Sequence, residues 1–72
     1  MTLKRFDDAL PLLQVGANVE VPAKDMGAGN LQNLANVTTW KGGHLTITDS
    51  DRLGPGDRQN IANVAQNRVT FR

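Results

Sequence analysis

No cysteine and no tyrosine occur in this chain of 72 residues, and histidine and tryptophan occur once each. Without cysteine there is no disulfide framework and no thiolate zinc site, and the lone His44 cannot supply a histidine cluster. No metal or other cofactor is expected. The remaining hydroxyl nucleophiles are Ser50 and the threonines, and none of them is expected to have a His within reach. His44 and Asp49 bracket a predicted strand, roughly 16 Å apart at strand rise, so they cannot act as an acid-base pair within the chain. A non-enzymatic protein is expected, since an active site would need a partner chain to complete it.

A surplus of one charge is missing too. Eight Lys and Arg against seven Asp and Glu leave a formal charge of +1, too little to steer the protein toward nucleic acid or anionic lipid. The basic residues Lys4, Arg5, Lys24, Lys41, Arg52, Arg58, Arg68 and Arg72 are interleaved with acids and lack an aromatic platform for stacking bases. Long hydrophobic runs are also absent. The longest, Ala9 to Val15, is interrupted by Pro11 and Gln14 and falls short of the roughly 20 residues of a membrane-spanning helix. Lys4 and Arg5 are followed by Asp7 and Asp8 where a signal peptide would carry its apolar stretch, so a cytoplasmic protein with no membrane partner is expected. The triplet Asn36-Val37-Thr38 fits a glycosylation sequon but needs a secretory context to matter.

What the chain does have is an internal repeat. The segment Met26 to Val37 aligns with Leu53 to Val64 at an offset of 27, with seven of twelve positions identical: Gly27/Gly54, Gly29/Gly56, Gln32/Gln59, Asn33/Asn60, Ala35/Ala62, Asn36/Asn63 and Val37/Val64. Unrelated segments of this length share about one identity, so the segment is duplicated. Around it, Asn18 to Val21, His44 to Thr48 and Arg68 to Arg72 alternate apolar and polar residues with period two and are rich in β-branched side chains, as half-buried strands are. Leu31, Leu34, Ala35, Val37 and Thr38, and then Ile61, Ala62, Val64 and Ala65, recur at helical spacing. Each unit thus reads as strand, glycine loop, helix.

Helix boundaries carry chemical marks. Asn30 and Asp57 are expected to cap the helix starts, with Pro55 suited to the first turn. Gly42-Gly43 and Asn67 are expected to supply the positive φ of a C-terminal cap. Leu3, Phe6 and Leu10 predict an N-terminal capping helix that Pro11 ends. Strands joined through helices must lie parallel, with right-handed crossovers. The expected fold is therefore α/β: a small, solenoid-like β/α tandem repeat with a three-stranded parallel sheet, helices on one face and an N-terminal capping helix. One domain is expected over residues 1–72, divided into a capping segment (1–17), two repeats (18–43 and 44–67) and a terminal strand (68–72). In architecture this resembles a short β/α solenoid of the leucine-rich-repeat sort, with Leu45-Thr46-Ile47 lining one side. It departs from that consensus at Gly43 and Asp49, so neither ligand nor activity is implied by it.

Candidate sites follow. The glycine loops Gly27-Ala28-Gly29 and Gly54-Pro55-Gly56 precede helix starts, where N–H groups can hold an anion, but their spacing matches no phosphate-binding motif and a duplicated turn needs glycine for backbone reasons. In Asp49-Ser50-Asp51 only the last aspartate has a counterpart in the first unit, Asp25, which suits a loop hydrogen bond better than a metal site. The helix faces are unusually rich in amides. Asn33, Asn36, Asn60, Asn63 and Asn67, together with Trp40, form the expected protein interface, against the alternatives that duplication alone repeats the amides and that Trp40 closes the end of the core; Thr46, Thr48 and Thr70 form a candidate sheet face. The expected function is a small protein-protein interaction module, binding a protein partner and forming a homodimer. The alternative is a nucleic-acid-associated accessory protein using the glycine-loop helix ends and scattered arginines.

Overall fold

Period-two alternation in three short segments builds the sheet. In the computed structural model, which describes residues 3–72, β1 (Asn18–Pro22), β2 (His44–Thr48) and β3 (Val69–Phe71) lie in the order β1-β2-β3, all parallel. Asn18 pairs with His44 and Pro22 with Thr48, while Leu45 pairs with Val69 and Ile47 with Phe71. This register puts Val19, Val21, Leu45 and Ile47 on one buried face. Val69 and Phe71 of β3 fall on the same face by period two but are only half-buried.

Four helices accompany the sheet: α1 (Phe6–Gln14), the single turn α2 (Ala23–Met26), α3 (Ala28–Lys41) and α4 (Pro55–Ala65). The apolar stripes do the packing: Leu31, Leu34, Ala35 and Thr38 of α3 and Ile61 and Ala65 of α4 are buried with Ala9 and Leu13 of α1. Met26 and Leu53, equivalent positions of the duplicated segments, close the same core. Burying each of the Leu, Ile and Met side chains among them contributes about 1.5–3 kcal/mol. Thr38 is polar but fully buried, and its hydroxyl donates to the Ala35 carbonyl at 2.6 Å.

Several sequence expectations need correction. Asn30 and Asp57 do not cap their helices: Gly27 and Gly54 occupy those positions, and Asn30 sits inside α3, its Nδ2 donating to the Met26 carbonyl at 3.0 Å. Asp57 remains in the first turn of α4, where its charge complements the helix dipole. Gly42, not Gly43, takes the left-handed cap of α3, and at the end of α4 the positive φ falls on Gln66 while Asn67 lies in a 3-10 turn. That turn takes up Arg68 as well, so β3 starts at Val69. Pro11 does not end α1; it lies within it, because burying Ala9 and Leu13 outweighs one lost backbone hydrogen bond. Leu3 precedes the helix rather than sharing its face, and its N–H donates to the Glu20 carbonyl on the free edge of β1. The short helix α2 and the 3-10 turn Ser50–Arg52 follow β1 and β2 at equivalent places and were not foreseen.

Candidate functional site

The two layers leave two surfaces in water. The first is the outside of the helices. Asn33, Asn36 and Trp40 recur at intervals of three and four, so they share one face of α3, turned away from Leu31, Leu34 and Thr38. All three are exposed, and Trp40 has 75% of its surface in water. Asn60 and Asn63 are exposed on α4 and Asn67 just beyond it. Asn67 stands 27 positions after Trp40, the offset at which the two similar segments align, so the aromatic side chain has no counterpart there.

The second surface is the uncovered face of the sheet. Thr46 and Thr48 are half-buried there and Thr70 is exposed. His44 Nε2 lies 2.8 Å from Thr70 Oγ1, and Arg72 spans the sheet to pair with Glu20 at 3.1 Å. Thr48 Oγ1 reaches the Val21 carbonyl at 3.5 Å. These cross-strand contacts tie all three strands together on the side that has no helices. Period two places Glu20 and Arg72 on this face, as expected, but their ion pair was not foreseen, and the expectation that no threonine lies within reach of His44 is corrected by Thr70, which the parallel register brings beside it.

The loops at the other ends of the strands are structural in what they do. Ser50 is buried and donates both its N–H (3.0 Å) and its hydroxyl (2.9 Å) to the Arg72 carbonyl, locking the chain after β3 to the turn after β2. Asp49 takes a left-handed conformation to allow this turn. Among the described residues no side-chain hydrogen bond reaches Asp25 or Asp51, so the loop bond expected of that repeated aspartate is not formed. The described residues contain no cluster of three or more potential metal-ligating side chains and enclose no pocket. No helix among them is long and apolar enough to cross a membrane.

One exposed residue escaped the sequence reading. Val15, at the end of α1, has 79% of its surface in water, and Val15 and Trp40 are the large hydrophobic residues most exposed on the described surface. The signal was its position beside Gly16, whose φ of +82° turns the chain away from the core before β1. Comparison of the chain with protein-family models, curated proteins and solved structures finds no match.

Proposed function

We propose that the chain is a small, non-enzymatic protein-interaction module, a short solenoid-like array of two strand-loop-helix units behind a capping helix, which also self-associates. The array reading is supported by how equivalent residues are used: Gly27 and Gly54 both stand at helix starts, Leu34 and Ile61 are both buried, and so are Thr38 and Ala65. Repeat units bury their faces against neighbours, and β3 has a strand on one side only.

The observation that carries the interaction reading is Trp40. A tryptophan side chain offers about 150–250 Å² for burial, so exposing three-quarters of it forgoes roughly 3–4 kcal/mol that a partner could recover. It stands at the end of a row of exposed amides that can donate and accept hydrogen bonds to a partner. Self-association would use either this face or the free edge of β3. The test is size-exclusion chromatography with light scattering on the wild type and on Trp40→Ala. A wild-type dimer that becomes monomeric in the variant assigns the Trp40 face; a dimer that persists assigns the edge. A strict monomer at high concentration removes self-association from the reading.

A further inference from the structure

Three turns converge at the end of the sheet where the strands begin. Residues 14–18 lead from α1 to β1, 39–44 from α3 to β2, and 65–69 from α4 to β3, and the pairings Asn18 with His44 and Leu45 with Val69 align them. The first two turns touch: a Cβ on Gly16 would stand 2.9 Å from the Lys41 carbonyl oxygen. Val15 precedes Gly16 and Trp40 precedes Lys41, so the two most exposed large hydrophobic residues flank one backbone contact. The third turn adds Arg68, one guanidinium nitrogen of which lies 3.9 Å from where a Gly42 Cβ would be.

Charge is distributed unevenly about this end. No Asp or Glu occurs in residues 14–18, 39–44 or 65–69, whereas Lys41 and Arg68 do. Neither cation has an ion pair among the described residues, and both are exposed. The aspartates all lie elsewhere, in the first turns of α1 and α4, in α2 and in the turn after β2. An exposed apolar pair ringed by unpaired cations is complementary to an apolar side chain with carboxylates on either side of it.

We propose that this end of the molecule docks an acidic protein segment bearing an exposed apolar side chain, which covers Val15 and Trp40 while its carboxylates meet Lys41 and Arg68. The proposal rests on reading Trp40 as an interaction residue and adds the chemistry of the partner. A second copy meeting this end with its own would oppose Lys41 and Arg68 to like charges, and the opposite end of a copy mixes its aspartates with Lys24, Arg52 and Arg58. An anionic membrane would gain only two cations here, too few for stable anchoring beside so small an apolar patch.

Because Trp40 is the sole tryptophan, its emission reports directly on cover at the site. The experiment is a fluorescence titration, at a concentration where the chain is monomeric, with a short peptide alternating Leu and Glu and with the same peptide carrying Gln for Glu. The expected result is a blue shift of Trp40 emission with the Glu peptide, binding roughly three- to tenfold tighter than the Gln peptide, with the preference fading in high salt. Lys41→Gln combined with Arg68→Gln should abolish the preference, and Lys41→Gln alone should lower it without touching the β3 end. Equal binding of both peptides, no shift with either, or a shift only with vesicles of anionic phospholipid would overturn the acidic-segment proposal. If Trp40→Ala still dissociates a dimer in that case, the interaction reading survives without it; if Trp40→Ala has no effect either, both fall.

Discussion

Gly43 links α3 to β2 and is buried, and among the glycines it is the one where an added Cβ has least room. Its φ is not in the left-handed region, so an alanine there meets no conformational penalty of that kind. The obstacle is steric. A Cβ would run into the Ala17 carbonyl oxygen, and would stand 3.2 Å from the Gly16 carbonyl carbon and 3.3 Å from that of Ala17. These are backbone atoms in a turn held by Gly16 N–H to the Leu13 carbonyl (3.0 Å) and Ala17 N–H to the Leu12 carbonyl (3.0 Å), so relief requires those bonds to give. Overpacking of this kind costs about 1–3 kcal/mol, and the backbone nature of the clash points to the upper part of that range. A chain of this length has about 4–11 kcal/mol of stability in all. At about 4–8 °C per kcal/mol, a cost of about 2–3 kcal/mol for Gly43→Ala should lower Tm by roughly 8–24 °C, read by far-ultraviolet circular dichroism with a urea titration alongside. Gly29→Ala is the control: its Cβ meets nothing within 4 Å in the first turn of α3, so it should be stabilising by about 0.4–1 kcal/mol. An unchanged Tm for Gly43→Ala, or an equal loss for both variants, would refute the close crossing of the two turns.

Two further perturbations act on single backbone features. Pro11 lies exposed inside α1 and leaves the Asp7 carbonyl without its helical donor, so Pro11→Ala should raise stability by about 1–3 kcal/mol; a lower Tm would show that the ring is needed for packing. Gln66, exposed at φ +57° and ψ −120°, occupies a region that glycine enters freely, and Gln66→Gly should stabilise by about 1 kcal/mol in a urea titration. A destabilised Gln66→Gly would mean that the strain at the end of α4 is not what the dihedral angles indicate.

Much of the architecture follows from local pattern alone. Period two in His44 to Thr48 marks β2 with its observed ends, because alternate side chains of a strand must face opposite ways. The stripe Leu31, Leu34, Ala35 and Thr38 marks the buried side of α3 for the corresponding reason at a period of 3.6, and strands joined through helices have to run parallel. The amide row follows from the same helical spacing, whereas that spacing leaves Trp40 equally able to close the end of the core, and only the packing exposes it. Tertiary structure decided what depends on atoms distant in sequence. Whether Gly27 or Asn30 begins α3 turns on where Met26 is anchored in the core, and whether Pro11 breaks α1 turns on the burial of Ala9 and Leu13. Local propensities worth about 1 kcal/mol yield to such burial. The acid-free end with Val15, Trp40, Lys41 and Arg68 exists only because the parallel register brings three turns together, and no single segment of the chain carries that information.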